Sequence, residues 1–522
     1  MPLKFVFGPS GSGKSTYLYQ HVIEESEKYP LKNFIVLVPE QFTMQTQKDL
    51  VSMHPRHGIM NIDVLSFARL AYRVFEETGT KQMQVLDDEG KNLILRKIAG
   101  DYENKLTVLK GNIKRLGYIS EVKSVISEFT QYDIGEEEMD EMLDHLDEDS
   151  RLYYKLKDIR LLYEGFQDYL RERYITKEEL LDVLNSQVKE SELLKNSVVV
   201  LDGFTGFTPV QNRLILELMR CCKEVWVTVT MDERENPYAY KHPYQLFGLS
   251  KQMVTTLVRM AGEDHIEVEE PVCLYGYPVK RFEKNQELAF LERNIFRYGA
   301  GRYDKAVENL EIHAAGNPRQ EADAVAEGIR RLVRKEQYRY RDIGVIVSDM
   351  NVYGDYLEQA FENYGIPVFM DHKRSILLNS FVEYIRSLLN MAEKNFSYES
   401  VFRFLRTNLA GFACEEVDEL ENYVLGLGIR GYKGWQNRWI RRLKGMEEEE
   451  LDRLNHYRVQ LVEKVDNLMF VLKQKRKTVR DITMAVYEFM VKENIQERLQ
   501  RTEEEFQKAG ELALAKEYSQ VY

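Results

Sequence analysis

Residues 8–15, Gly8-Pro9-Ser10-Gly11-Ser12-Gly13-Lys14-Ser15, carry glycine, lysine and serine at the spacing of a phosphate-binding loop. Such a loop turns backbone N–H groups toward a phosphate, and the helix that follows adds its positive dipole end. Lys14 is expected to reach the β- and γ-phosphates, and the Ser15 hydroxyl to ligate Mg²⁺. The sequence therefore predicts an ATP and Mg²⁺ site here. The alternative is a glycine- and serine-rich turn that only joins a strand to a helix.

A second candidate magnesium ligand is Asp202, which follows the apolar run 198–201. A strand there delivers Asp202 to the edge of a sheet where ligands bind. The alternative is that Asp202 caps the turn before Gly203. A hydrolytic P-loop motor normally has a carboxylate at the position of Gly203 to orient the attacking water. We therefore expect nucleotide binding with an inactive motor.

A parallel sheet is needed to bring these residues together. Continuous apolar runs at 4–7, 34–38, 197–201 and 224–229 have the character of strands buried on both faces. Helical stretches join them, which predicts a doubly wound domain. The expected fold class is α/β, with P-loop NTPase domains built on parallel sheets and large helical insertions.

The hydrophobic and charge pattern of the sequence changes several times along the chain, which predicts several domains. We expect a first P-loop domain at 1–230 with a charged helical insertion at about 80–190, and a connecting region at 231–308. A second α/β domain is expected at 309–395, with strands at 310–314, 343–347 and 366–369. Residues 396–522 are helical and highly charged. Because no terminating signal precedes Tyr522, we expect the sequence to be a fragment.

Composition narrows the class of protein. A net charge of −13 argues against a protein that simply coats DNA, although a local basic channel is compatible with it. The four cysteines form no C-x-x-C pair, which disfavours a zinc site and a disulfide framework. The first residues predict no signal peptide, and no apolar run in the sequence comes near the roughly 20 residues that span a bilayer. We expect a cytoplasmic protein without membrane association.

Residues 430–444 interleave basic and aromatic side chains with no acid between them. The candidate nucleic-acid contacts are Arg430, Trp435, Arg438 and Trp439. Basic groups that follow a backbone, and rings that offer stacking faces, are what single-strand binding requires. The alternative is an amphipathic helix that buries its tryptophans and leaves its charges in water.

Residues 201–211 resemble a degraded form of the UvrD-like helicase segment D-E-x-Q-D-x-x-x-x-Q. Asp202 and Gln211 keep their places, whereas Gly203 replaces the catalytic glutamate. With Val38-Pro39-Glu40-Gln41 and the segments 64–71, 317–322, 338–343 and 364–369, the chain resembles the AddB family. These are the B subunits of bacterial ATP-dependent helicase/deoxyribonucleases, and the resemblance spans essentially the whole chain.

The resemblance implies the N-terminal helicase-like half of such a protein. Family members are about twice this length, and their nuclease domain and iron–sulfur cysteines lie in the other half, so no cysteine here is assigned to that cluster. In the family, the B subunit forms a heterodimer with a helicase/nuclease partner, the A subunit, and processes double-strand breaks for recombinational repair. It contributes a 5′→3′ exonuclease and helps recognise the hotspot sequence Chi. Single-stranded DNA and duplex ends are the expected substrates.

Related helicases place a DNA-contacting loop after the second strand, which makes Phe67 and Arg69 further candidate DNA contacts. Packing in the core is the alternative for both. Two rival hypotheses stay open at this point. One is an autonomous P-loop ATPase or kinase, and the other is a structural subunit that keeps the P-loop as a relic.

Overall fold

The computed structural model describes residues 2–79, 84–113, 115–171, 174–299, 301–370 and 376–521. The chain divides into two compact units, residues 1–313 and 314–522. Each unit has its own hydrophobic clusters. Within the described ranges, no helix combines the length and the apolar character needed to cross a bilayer.

The first unit is built on a six-stranded parallel sheet. The strands of this unit are β1 (Leu3–Gly8), β2 (Asn33–Leu37), β3 (Ile62–Leu65), β4 (Gln84–Leu86), β5 (Tyr174–Thr176), β6 (Ser197–Leu201), β7 (Glu224–Thr230) and β8 (Val272–Cys273). The sheet order is β3-β2-β6-β7-β1-β8, and β4 pairs separately with β5. All pairs are parallel, so the carboxyl ends of β1, β2, β3, β6 and β7 meet at one edge.

Helices cover both faces of this sheet. The helices of the first unit are α1 (Lys14–Lys28), α2 (Thr43–Met53), α3 (Phe67–Thr78), α4 (Asp88–Asp101), α5 (Leu116–Gln131), α6 (Glu136–Asp144), α7 (Arg151–Leu170), α8 (Leu180–Gln187), α9 (Glu192–Lys195), α10 (Pro209–Cys221), α11 (Gly248–Glu263) and α12 (Gln286–Asn294). α1 and α2 pack on one face, and α3, α8, α10 and α11 pack on the other. The predicted α/β class and its four parallel strands are confirmed.

Helices α4 to α7 lie between β4 and β5 and share a separate core. Two buried charged groups fix this part of the chain. The Lys91 ammonium donates to the Glu178 carboxylate at 2.6 Å, and Lys91 is 2% exposed. The Asp158 carboxylate accepts the backbone N–H groups of residues 107–109 at 2.8 to 3.1 Å. Both contacts bridge segments that are far apart in sequence.

The regular secondary structure of the second unit is entirely helical among its described residues. Its helices are α13 (Pro318–Lys335), α14 (Met350–Asn363), α15 (Ser380–Glu393), α16 (Tyr398–Leu405), α17 (Cys414–Leu427), α18 (Tyr432–Gln436), α19 (Glu448–Leu472), α20 (Val479–Lys492), α21 (Ile495–Ala509) and α22 (Leu512–Gln520). α15 to α22 share one core, and α13 and α14 form a smaller one.

The strands expected at 310–314, 343–347 and 366–369 do not form among the described residues, although the helices between them do. Several of their apolar side chains are exposed, with Ile312 94%, Ile346 98% and Phe369 89% exposed, whereas Ile366 is buried in the smaller core. A strand needs a neighbour to satisfy its backbone N–H and C=O groups. These segments have no paired neighbour among the described residues, so they form no sheet.

Candidate nucleotide and nucleic-acid sites

The glycine-rich loop of residues 8–15, called the phosphate loop below after its predicted role, connects the end of β1 to the start of α1, as predicted. Gly11 and Gly13 adopt left-handed backbone conformations, with φ of +81° and +93°. A side chain at Gly8 would place its Cβ 2.4 Å from the Ser12 Oγ atom. The loop conformation therefore favours glycine at positions 11 and 13, and Ser12 and the Leu274 carbonyl leave little space beside Gly8.

Lys14 folds back onto this loop. Its Nζ atom donates to the carbonyl oxygens of Gly8 and Pro9, each at 2.9 Å. Burial lowers the pKa of Lys14 to about 8, and the nearby Asp202 carboxylate opposes that shift. The Ser15 side chain is exposed at the first turn of α1. The loop thus presents an ammonium, a hydroxyl and a helix N-terminus at one point, which is the chemistry of phosphate binding.

Asp202 lies at the carboxyl edge of the sheet, directly after β6, and is 5% exposed. Its carboxylate accepts from Tyr19 Oη at 2.7 Å and from Thr228 Oγ1 at 2.6 Å. The pKa of Tyr19 is raised by burial and by this carboxylate. Each Asp202 oxygen accepts one of these bonds, so a further lone pair is left for a water molecule.

These donors fit a magnesium ion of the kind that nucleotides carry. Mg²⁺ keeps several waters and takes only one or two protein oxygens, together with phosphate oxygens. The Ser15 hydroxyl would bind it directly, and Asp202 through a water. Within the described ranges, no group of three or more His, Cys, Asp or Glu residues could hold a metal ion, so the phosphate oxygens of the nucleotide would have to supply further ligands. A bound Mg²⁺ would neutralise phosphate charge.

The position after Asp202 carries no acid. Gly203 has a φ of +81°, and its N–H donates to Thr228 Oγ1 at 3.3 Å. Gln211, the other residue that keeps its place in the helicase-like segment, caps α10: its Oε1 atom accepts from the Thr208 N–H. The chain therefore holds the Asp202 carboxylate firmly and has no carboxylate beside it in sequence to activate water.

Three phenylalanine rings meet at the same sheet edge. Phe67, at the start of α3, lies 5.4 Å from Phe204 and 6.3 Å from Phe207, between ring centroids, and the last two are 5.2 Å apart. Phe67 is 8% exposed and so belongs to the core, whereas the other two are half-buried. Arg69 is exposed in the first turn of α3, and its side chain has no ion pair with a described residue.

The tryptophans of residues 430–444 do not lie on the surface. Trp435 is 1% and Trp439 6% exposed, and their rings pack edge to face at 5.3 Å. Arg458 of α19 donates to the Trp435 carbonyl oxygen at 2.7 Å. The prediction that these indoles offer stacking faces is therefore corrected: α18 and the residues after it pack against α19, and both indoles are buried there. Arg430 and Arg438 remain exposed, and Arg438 pairs with Asp452 at 3.1 Å.

Several residues of these sites were not predicted as functional. Tyr19 and Thr228 hold Asp202, and Thr228 is a polar residue within an apolar strand, which is a signal that the sequence offered. Phe204 and Phe207 stand in the segment after β6, where side chains reach the sheet edge. Arg281 reaches the phosphate loop from far along the chain, and no local pattern indicates this.

Comparison with known proteins gives a consistent result. Residues 5–292 match the family profile described as "ADDB, N-terminal". The whole chain is 42% identical to a protein from Lachnoclostridium phytofermentans that is named as the B subunit of ATP-dependent helicase/deoxyribonuclease, of which it covers 46%. It is 31% identical to the protein of that name from Clostridium acetobutylicum and 34% identical to that from Caldanaerobacter subterraneus subsp. tengcongensis, again over its full length. It covers 46% and 45% of these two, so the chain spans about half the length of its relatives.

Proposed function

The chain belongs to the AddB family, the B subunits of ATP-dependent helicase/deoxyribonucleases, and from this premise we propose that it binds ATP and DNA as the helicase-like half of such a protein. The observation that supports ATP binding best is the phosphate loop itself. Gly8, Gly11 and Gly13 shape its backbone, Lys14 lies inside it, and Ser15 and Asp202 flank it. This arrangement favours a P-loop helicase fold for the first unit.

In this proposal the chain binds ATP but hydrolyses it very slowly. Asp202 is held by Tyr19 and Thr228, and Gly203 offers no general base beside it. An autonomous ATPase or kinase would need such a base or an equivalent carboxylate. We therefore expect ATP to be held with Mg²⁺ and turned over very slowly by this chain alone.

Equilibrium titration with ATP and Mg²⁺ tests this proposal. Lys14→Ala should weaken ATP binding about 10- to 100-fold, because it removes a charge-assisted contact to phosphate. Lys28→Ala, at the exposed end of α1, is the matched control and should bind as the unchanged chain does. A chain that binds no ATP would favour the rival in which the loop is a relic. Rapid ATP turnover by the chain alone, abolished by Lys14→Ala, would favour the autonomous enzyme.

We further propose that single-stranded DNA crosses the carboxyl edge of the sheet in the first unit. The half-buried rings of Phe204 and Phe207 offer faces for bases, and Phe67 supports them from the core. Exposed Arg69, two residues after Phe67 in the first turn of α3, supplies a cation for the DNA backbone. Aromatic faces beside a cation are the elements of single-strand binding.

Binding of a fluorescent single-stranded oligonucleotide at several salt concentrations tests this edge. Phe207→Ala should weaken binding about tenfold with an unchanged salt slope, because it removes a stacking face and no charge. Arg69→Ala should instead reduce the slope by about 0.7, because one phosphate contact is lost. Phe470→Ala, an exposed ring in the second unit, is the control. Unchanged affinity in both edge variants would refute the assignment.

The same titrations decide the role of residues 430–444. Arg430 and Arg438 are the remaining candidates in that segment because their side chains are exposed. A double change of both to alanine should reduce the salt slope if the backbone of DNA lies along α18. An unchanged slope would remove this segment from the DNA path.

The wider role follows from the family. We propose that the full-length protein forms a heterodimer with a helicase/nuclease partner, the A subunit, processes double-strand breaks in the cytoplasm for recombinational repair, and takes part in Chi recognition. The 5′→3′ nuclease and the iron–sulfur cluster would then belong to residues outside this chain. DNA-dependent ATPase and exonuclease assays, with and without that partner, test this: we expect little of either activity from this chain alone.

A further inference from the structure

A segment that follows β8 lies directly against the phosphate loop. This crossing segment, residues 274–282, begins where the Leu274 N–H donates to the Phe7 carbonyl at 2.8 Å. It ends where the Arg281 N–H donates to the Gly11 carbonyl at 3.0 Å. A Cβ atom added to Gly11 would lie only 2.7 Å from the Arg281 Cβ. The two backbones are therefore in contact, although about 270 residues separate them in sequence.

The crossing segment brings two further cations to the loop. The Arg281 side chain runs along Gly11, with its Cδ and Nε atoms 3.3 and 3.5 Å from the position of the added Cβ. The Lys280 Cδ atom lies 3.4 Å from the corresponding position at Gly13. Both residues are exposed, and neither side-chain charge has a hydrogen bond or ion pair with a described residue.

Two further features of the loop favour an anionic ligand: a buried hydroxyl without a hydrogen bond among the described residues, and a second cation close to Lys14. The Ser12 Oγ atom is buried and makes no hydrogen bond to a described residue. The Lys14 ammonium is close enough to Arg281 for the two charges to repel, which adds to the lowering of its pKa. Two acids oppose this positive charge: Asp202, held by its own hydrogen bonds, and Glu292, whose pKa is raised by burial and by the nearby Asp232.

Unpaired cations held near one another are stabilised by an anion that contacts all of them. The loop amides and Lys14 would bind one phosphate group of the nucleotide. Lys280 and Arg281 on the crossing segment can reach the adjacent phosphate groups of the same chain. We propose that Arg281, assisted by Lys280, binds the phosphate chain of the nucleotide and makes the site selective for di- and triphosphates over monophosphates. This inference rests on the proposed nucleotide binding and names a residue of that same site. A guanidinium suits the role because its planar fork matches phosphate oxygens.

Calorimetric titrations of the 522-residue chain with AMP, ADP and ATP test the inference. Arg281→Ala should weaken ATP and ADP binding about tenfold and change AMP binding less than about twofold. Arg281→Lys should recover part of the loss, because it keeps the charge and loses the fork. Lys280→Ala should have a smaller effect of the same kind. Arg259→Ala, a surface arginine of α11 paired with Glu263, is the control.

The alanine variant also separates phosphate binding from loop support. Arg281→Ala keeps the backbone N–H that bonds to Gly11, so a purely structural role for residue 281 predicts unchanged binding of all three nucleotides. That result, or an equal loss for AMP and ATP, would overturn the inference while Lys14→Ala still weakened binding. If the unchanged chain bound no nucleotide at all, the proposed function itself would fail, and this inference with it.

Discussion

The protonation of Lys14 should control nucleotide binding in a pH range that is easy to reach. Burial lowers the pKa of this ammonium to about 8 in the free chain. Only the charged form can hold phosphate oxygens well, and a bound polyanion raises the pKa again. Binding therefore takes up a proton wherever the free lysine is neutral, and affinity for ATP must fall as the pH rises above 8.

The size of the effect follows from that pKa. With a pKa of about 8, roughly a quarter of Lys14 is neutral at about pH 7.5, and roughly nine-tenths at about pH 9. The dissociation constant for ATP should therefore rise about eightfold across this interval. Calorimetric titrations at both pH values, each in two buffers of different ionisation enthalpy, measure the affinity and the proton uptake together.

The variant Lys14→Ala is the control for this experiment, because its weak residual binding should show no pH dependence over the same interval. The free chain should respond in the opposite direction. A lysine whose pKa is lowered on folding destabilises the folded state while charged, and this cost disappears as the pH rises from about 8 toward 10.5. An ATP affinity that is constant or rises between the two pH values would show that Lys14 is not the phosphate-binding cation.

Three further predictions concern stability. Asp158→Ala removes the acceptor of three backbone N–H groups, of which that of Leu109 is buried. It should lower the free energy of unfolding by about 3 kcal/mol in chemical denaturation, whereas Asp168→Ala on the surface of α7 should change it by less than about 0.5 kcal/mol. Lys91→Met breaks a buried ion pair and should cost about 3 kcal/mol, in contrast to Lys97→Ala on an exposed pair. Trp435→Ala should destabilise the second unit by about 3 to 5 kcal/mol and leave ATP affinity unchanged. An equal effect of variant and control for Asp158 or Lys91 would contradict the role of that buried group. A loss of ATP affinity in Trp435→Ala would contradict a purely structural role of Trp435.

Features that depend on local sequence could be predicted. The phosphate loop follows from a short run of glycines with a fixed backbone requirement, and the four long buried strands follow from continuous apolar runs. The predicted run 34–38 differs from β2 (Asn33–Leu37) by one residue at each end, and 197–201 coincides with β6. The short edge strands β3 and β8 were not predicted, because too few residues carry the pattern.

Features that depend on contacts between distant segments could not be predicted. The runs 343–347 and 366–369 are apolar and 310–314 alternates apolar with polar residues, as strands do, yet a local pattern contains no information about a pairing partner. Trp435 and Trp439 were predicted to offer stacking faces because nothing in residues 430–444 indicates that α19 covers them. In the same way, the arrival of Arg281 at Gly11 depends on the path of the chain after β8.

The burial of the tryptophans has a practical use. Trp226 lies in β7 of the first unit, where its ring is 4.7 Å from the His21 ring, and Trp435 and Trp439 lie in the core of the second unit. These are the three tryptophans of the chain. A chain with Trp435→Phe and Trp439→Phe would emit indole fluorescence from the sheet alone, and Trp226→Phe would emit only from the helical unit. Each unit therefore carries its own optical reporter, so their unfolding and their response to ATP can be followed separately within one molecule.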